Sequence, residues 1–266
     1  MSHKLLFPTY RRRYSFVRET LASVTSGVPV PRMLDVGCGE GDMDPMLAEF
    51  AERLDACDAN EGDVDFARTL NADVDGVFYR VEDAERLSYP DGAFDVVVCL
   101  EVIEHVARPD AVLEEIARVL RPGGHLVLTC PSADYPATYD PINRVLERSG
   151  RTLPIGAYGY GHTWLVRAAE LEQWLTDHRL EVRTRARLSR QLAGLIECYI
   201  PGLVQKVLKS NAGNRAGVRR PVALAPSRRE PRALPLTDAI VRLDERWFAG
   251  GSRSVGLGYL ARKRER

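Results

Sequence analysis

The sequence predicts an α/β fold: a mostly parallel sheet covered by helices on both faces. Three observations predict it. Short apolar runs alternate with segments of helical periodicity, the first run ends in the glycine-rich turn Gly37-Cys38-Gly39-Glu40-Gly41, and Phe94 to Leu100 (FDVVVCL) is apolar on both faces of a strand. Strands alternating with helices at this rhythm require right-handed crossovers and hence a parallel sheet.

In chain order, Arg11 to Val24 carries Tyr14, Val17 and Leu21 at helical spacing and stops before Val28-Pro29-Val30-Pro31. Met33 to Val36 reads as a strand, Met46 to Leu54 as a helix, Leu54 to Ala59 as a strand, Val64 to Leu70 as a helix and Val77 to Val81 as a strand. After Phe94 to Leu100 comes Pro109 to Leu120, with Val112, Leu113, Ile116, Val119 and Leu120 on one side, stopped by Arg121-Pro122-Gly123-Gly124. His125 to Thr129 is the next strand. Residues 131–163 then break the rhythm with proline, glycine and tyrosine, and a connection of this length is usually functional. A substrate cap is expected there, in which Tyr135, Tyr139, Tyr158 and Tyr160 either wall an aromatic or sugar substrate or stand exposed on a mobile loop.

Ala168 to Leu175 returns to helix, Leu180 to Ala186 to strand, and Ser254 to Arg262 forms a last strand. Leu192 to Leu208 places Leu195, Ile196, Tyr199, Ile200, Leu203, Val204 and Val207 on one face, with a kink expected at Pro201, and Ser210 to Pro235 reads as an Arg- and Pro-rich loop. The expected organisation is an N-terminal helical flap over residues 1–30, then one domain over 31–266. That domain carries a cap insertion at 131–165 and a helical, Arg-rich insertion at 190–250.

With 266 residues, 45% hydrophobic and 28% charged, the chain is large enough to bury a core without staples, which excludes a disordered protein. Its five cysteines are odd in number and show no C-x-x-C spacing, which argues against a zinc ribbon and a disulfide framework and for reduced, buried thiols. No apolar stretch is long enough to span a bilayer and no secretory leader is recognisable, so a cytoplasmic location is expected.

The alternate glycines directly after the first strand permit a tight turn and close approach of backbone to a ligand. The third glycine comes one residue too early for a dinucleotide fingerprint, and the Gly-Lys-Ser/Thr ending of a P-loop is missing. Asp58 ends the second strand, where a carboxylate can accept from both hydroxyls of a ribose.

Five segments in unbroken order, DVGCGEG, Asp58, Asp83-Ala84, FDVVVCLEVIEH and RVLRPGGHLVLT, resemble the class I S-adenosylmethionine-dependent methyltransferases over roughly residues 30–130. The nearest pattern is that of the ubiquinone-pathway O-methyltransferases. The resemblance implies a Rossmann-like, seven-stranded sheet and S-adenosylmethionine as cofactor. It implies that Gly37, Gly39 and Gly41 run beside the methionine moiety, that Asp58 holds the ribose, that Asp83 and Ala84 meet the adenine, and that Leu100 ends the fourth strand at the cofactor. Asp35 falls where the family braces the glycine loop or holds the amino group. Arg13 matches an N-terminal arginine placed near the cofactor carboxylate, or is one more exposed arginine beside Arg11 and Arg12.

Methyl transfer from a sulfonium asks the protein to position an acceptor and, for a hydroxyl, to help it lose a proton. Glu101-Val102-Ile103-Glu104-His105 offers two carboxylates and an imidazole within five residues, able to ligate a divalent cation such as Mg2+. E-x-x-E-H is similar to the metal segment of the ubiquinone-pathway enzymes and of small-RNA 3′-terminal 2′-O-methyltransferases. In the RNA group a further histidine completes the site, which makes His162 the fourth candidate ligand beside Glu101, Glu104 and His105. The alternative is metal-independent: His105 lines the pocket or acts as base, and the glutamates cap the next helix.

The expected reaction is therefore O-methylation of a small-molecule acceptor, with Glu104 and His105 as catalytic candidates. Other readings stay open: an RNA 2′-O-methyltransferase, a C- or N-methyltransferase, and a non-catalytic scaffold whose apolar face at Leu192 to Leu208 touches lipid. Nucleic acid is disfavoured because no aromatic-basic module is present. The sequence leaves the acceptor and the oligomeric state open. Lys+Arg and Asp+Glu total 37 each, yet residues 1–150 hold 15 basic and 27 acidic side chains and residues 151–266 hold 22 and 10, so an anionic acceptor is a better guess than the net charge suggests.

Overall fold

The computed structural model describes residues 4–158, 162, 164–197 and 231–265. Seven strands are present among them: β1 (Val30–Val36), β2 (Ala51–Asp58), β3 (Val77–Val81), β4 (Phe94–Leu100), β5 (Leu120–Pro131), β6 (Leu180–Leu188) and β7 (Gly256–Lys263). They form one sheet in the order β3-β2-β1-β4-β5-β7-β6. The pairs β1 with β2, β1 with β4, β2 with β3 and β4 with β5 are all parallel. The order reverses direction between β1 and β4, the switch point at which ligands bind open α/β sheets. The helices are α1 (Pro8–Thr25), α2 (Asp44–Leu47), α3 (Glu61–Leu70), α4 (Pro109–Val119), α5 (Pro141–Leu146), α6 (Ala168–Asp177), α7 (Gln191–Glu197) and α8 (Leu234–Trp247). No described helix is long and apolar enough to cross a membrane.

The chain divides into two compact units: a sheet unit of Ser15–Cys130, Val166–Ala186 and Leu257–Arg266, and a helical unit of Met1–Tyr14, Pro131–Leu165 and Arg187–Gly256. The sheet unit's core is the doubly covered centre of the sheet, where Met33, Leu34, Val36, Val96, Val97, Val98, Leu126 and Val127 are all fully buried. Each such side chain contributes about 1.5–3 kcal/mol relative to exposure.

Several boundaries differ from the sequence expectation. The helix expected over Met46 to Leu54 stops at Leu47, passes through a 3-10 turn at Ala48–Phe50, and gives way to β2 at Ala51. Leu54, Ala56 and Cys57 pair with Met33, Asp35 and Val36, so sheet burial claims the segment. β5 begins at Leu120, because Arg121 to Gly124 is extended strand after a register shift between Phe94 and Val96. Gly124 is needed there: a Cβ would stand 3.0 Å from the Asp95 carbonyl oxygen.

In the helical unit, residues 131–158 are built rather than open. Tyr135 is fully buried, its hydroxyl donating to Glu147 at 2.8 Å, so it is core and not a cap wall. Tyr158 donates to the same carboxylate at 3.1 Å. Asp140 caps α5, accepting from the Asn143 and Ala157 backbone N–H groups at 3.0 and 2.9 Å. Helix α8 was missed, although Leu236, Ile240, Leu243 and Trp247 repeat at helical spacing. The stripe misleads, because Leu236, Leu243 and Trp247 are exposed while Leu234, Thr237 and Asp244 are buried. The Asp244 carboxylate accepts from the Arg190 and Leu192 N–H groups at 2.5 and 2.7 Å and so orients α7. Tyr160, Cys198, the kink at Pro201 and most of the Arg-rich stretch lie outside the described residues.

Candidate active site

The site is built from strand ends of the sheet unit. After β1 the chain turns through Gly37, whose φ is +76° and where an added Cβ would stand 2.2 Å from Val102 Cγ2. Glycine is therefore required twice, by backbone sign and by contact. Asp58, the last residue of β2, accepts from the Gly39 N–H through Oδ2 and from the Asn60 N–H through Oδ1, both at 2.9 Å. Asn60 in turn caps α3, its Oδ1 accepting from the Gly62 N–H at 3.0 Å. Asp58 is thus fixed between the glycine turn and a helix start, with one acceptor direction left on each oxygen.

After β3, Asp83 accepts from the Glu85 N–H at 2.9 Å and its carbonyl from the Arg86 N–H at 2.9 Å, a local turn that presents Ala84. After β4, Glu101 takes φ +57°, a left-handed conformation costing a non-glycine residue on the order of 1–3 kcal/mol. Two bonds to β5 hold it there: its N–H donates to the Thr129 carbonyl at 2.9 Å, and its Oε1 accepts from Thr129 Oγ1 at 3.0 Å. The His105 N–H then closes a turn on the Val102 carbonyl at 2.9 Å. Glu104 is buried and His105 half exposed, with Glu104 Oε1 3.8 Å from His105 Nε2. The N-cap of α4 is Arg108, whose side chain makes no capping bond.

These strand ends enclose a cavity of about 470 Å3, within the range of small-molecule sites. Of the residues expected from the sequence, Gly37, Asp58, Asp83, Ala84, Glu101 and His105 line it. Asp35 lies buried beneath the glycine turn, Gly39 is tied to Asp58, and Leu100 pairs with Thr129 beside the site. Arg13 and His162 belong to the helical unit. There the Arg13 charge faces Glu197, and His162 Nδ1 lies 2.6 Å from the Ala157 carbonyl oxygen. Asn60, Asp63, Glu82 and Val102 also line the cavity and were not foreseen. Each directly follows or neighbours an expected strand end, a signal that was available. Thr129 was not foreseen either, and only the β4–β5 register reveals it.

Asp58, Asp63, Glu82, Asp83 and Glu101 make the cavity wall acidic. Burial, with nearby carboxylates, pushes the Cys38, Cys57 and Cys99 thiols up, so they stay protonated and serve as packing. No disulfide joins the four described cysteines. His178 bonds Asp110 at 2.7 Å. The arrangement suits a ligand carrying a ribose and a cationic group, beside an imidazole able to take a proton.

The Methyltransferase domain family matches residues 34–128. A ubiquinone biosynthesis O-methyltransferase of Xanthomonas oryzae pv. oryzae is 36% identical over 172 residues, which cover 59% of this chain and 70% of the relative. One from Xanthomonas campestris pv. campestris is 33% identical over 187 residues, 65% of this chain and 77% of the relative. Among solved structures, a geranyl diphosphate C-methyltransferase from Streptomyces coelicolor A3(2) superposes with a TM-score of 0.55 at 15% identity, covering 94% of this chain and 77% of that one.

Proposed function

We infer the reaction from one premise: the chain belongs to the class I S-adenosylmethionine-dependent methyltransferases, in the group of the ubiquinone-biosynthesis O-methyltransferases. The reading is O-methylation of a small-molecule acceptor, and the observation that carries it is the acidic cavity lined by Gly37, Asp58, Asp83, Glu101 and His105. The donor set fits the cofactor: a close-approach glycine turn, a carboxylate with two acceptor directions left, and an acidic wall for the cationic methionine end. When bound, S-adenosylmethionine supplies a methyl group already activated by its sulfonium.

Asp58 holds the ribose diol, Asp83 and Ala84 meet the adenine edge, and Gly37 to Gly41 follow the methionine moiety. His105 Nε2 takes the proton of the acceptor hydroxyl. Glu104, 3.8 Å from that nitrogen, stabilises the imidazolium that forms. Because the relatives are named for ubiquinone biosynthesis, a phenolic hydroxyl is the acceptor class to try first.

A divalent cation is a second reading, favoured by the pairing of a buried carboxylate with an imidazole at Glu104 and His105, ligands that suit a hard or borderline metal. Glu104 and His105 would hold it, and the ion would lower the pKa of the acceptor hydroxyl. Methyl transfer to a panel of phenols tests both readings. Activity with at least one phenol that His105→Ala removes, at unchanged S-adenosylhomocysteine affinity, is the expected result. Full activity after exhaustive chelation rejects the metal and leaves His105 as base, whereas no cofactor binding rejects the whole reading.

A further inference from the structure

Beneath the glycine turn lies a chain of buried and half-buried polar groups, of which the sequence analysis singled out Asp35 alone. Asn71, the residue that ends α3, donates from Nδ2 to the Gly41 carbonyl at 2.9 Å and is only 4% exposed. The same nitrogen lies 2.7 Å from the Tyr79 hydroxyl oxygen on β3, and that hydroxyl lies 2.6 Å from Asp44 Oδ2 at the start of α2. Asp44 and its neighbour Asp35 on β1 are both buried.

The direction of the chain is fixed by chemistry. An amide nitrogen only donates, so Asn71 gives one hydrogen to Gly41 and the other to Tyr79. Tyr79, having accepted, gives its single proton to Asp44. Burial pushes both the Asp35 and the Asp44 carboxyls up from the usual carboxylate range. Asp35 Oδ1 and Asp44 Oδ1 are buried with no hydrogen-bond partner among the described residues. The Asp44 carboxyl lies against the turn itself, since a Cβ added to Gly41 would stand 3.0 Å from Asp44 Oδ2 and 2.7 Å from Asn71 Nδ2.

Buried polar groups of this kind are costly unless fully connected, and a phenylalanine at position 79 would fill the same space without one. What the hydroxyl adds is a link from the outer strand to the backbone of the turn. We propose that Tyr79 and Asn71 are positioning residues for cofactor binding: they hold the Gly41 backbone in its left-handed shape under the methionine end of S-adenosylmethionine. The inference rests on the reading that Gly37 to Gly41 cradle that cofactor. Tyr79 and Asn71 touch no reacting atom, so their effect falls on binding and not on the chemical step.

The test is titration of the purified full chain with S-adenosylhomocysteine, together with steady-state kinetics in S-adenosylmethionine. Tyr79→Phe should weaken S-adenosylhomocysteine binding at least fivefold and raise KM for S-adenosylmethionine by a similar factor, with kcat at saturation within twofold of wild type. Asn71→Ser, which keeps the tyrosine-to-Asp44 bond but cannot reach Gly41, should do the same if Tyr79→Phe does not fold. Tyr89→Phe is the control: its hydroxyl is also buried in the sheet unit but has no hydrogen-bond partner among the described residues, so its removal should leave affinity unchanged. Unchanged affinity and KM in a folded Tyr79→Phe, or a loss confined to kcat, overturns the inference while the cofactor reading stands. A wild-type chain that binds no S-adenosylhomocysteine overturns both.

Discussion

Replacing Asp58 with alanine is the most direct test of how the cofactor is held. Each carboxylate oxygen already accepts one backbone N–H, from Gly39 and from Asn60, both at 2.9 Å. One acceptor direction per oxygen remains, matching the two hydroxyls of a ribose. Hydrogen bonds to a charged group contribute about 1.5–3 kcal/mol each, so losing two costs about 3–6 kcal/mol before relaxation. At about 1.4 kcal/mol per tenfold, the dissociation constant for S-adenosylhomocysteine should rise at least a hundredfold.

The assay is isothermal calorimetry on wild type and Asp58→Ala, with thermal melts to show that both are folded. A second comparison isolates the ribose contact. Wild type should bind a 2′-deoxy analogue of S-adenosylhomocysteine at least tenfold more weakly than the parent, and Asp58→Ala should scarcely distinguish the two. A change in affinity below threefold, or undiminished discrimination in the variant, would refute the assignment of Asp58 to the ribose.

Gly37→Ala should abolish cofactor binding and lower the melting temperature, because its Cβ would stand 2.2 Å from Val102 Cγ2 at a φ of +76°. Binding within threefold of wild type would show that Val102 and the segment carrying it yield freely. Glu197 predicts a pH dependence: burial pushes its carboxyl from the usual 4.5 up to about 7, against the pull of the Thr9 N–H and hydroxyl. Between those two pH values the folded chain holds a proton that the unfolded chain has lost, so stability falls as pH rises from about 4.5 to about 7 and is level above. Glu197→Gln should remove that decline and, at pH 8, stabilise the protein by up to about 3 kcal/mol. Denaturant melts at pH 4 and 8 that show the same difference between the two proteins would contradict this.

How much of this was legible in the sequence depends on what bounds each element. β3 at Val77–Val81 and β4 at Phe94–Leu100 were read to the residue. Each is a short apolar or β-branched run with a glycine, proline or acidic turn near both ends. The starts of β1 and β5 were missed because they are written with proline and glycine, in Val30-Pro31-Arg32 and Arg121-Pro122-Gly123-Gly124, which punctuate loops elsewhere. Neighbouring strands made them extended. Helix α8 was missed for the opposite reason: its apolar stripe is regular but faces solvent, and the helix is tied in by Asp244 and Thr237, which no hydrophobic pattern marks.

The site divides in the same way. Asp58, Asp83 and Ala84 were legible because each is the residue at or just after a strand end, and in a parallel sheet that position alone carries a side chain to the ligand edge. Glu101 to His105 was ambiguous, since two glutamates ahead of a helix serve equally well as caps. The backbone bears on Glu101 alone: it is held left-handed by two bonds to Thr129, twenty-eight positions away. A strained, doubly tied glutamate at the mouth of an acidic cavity is not what a helix cap requires, because capping asks only for a side-chain acceptor near free N–H groups. The strain at Glu101 is offset by the clasp to Thr129, and it places the carboxylate on the cavity wall with Asp58 and His105. Where the sequence offers two uses for the same residues, the choice was made by a contact between β4 and β5 that no local pattern encodes.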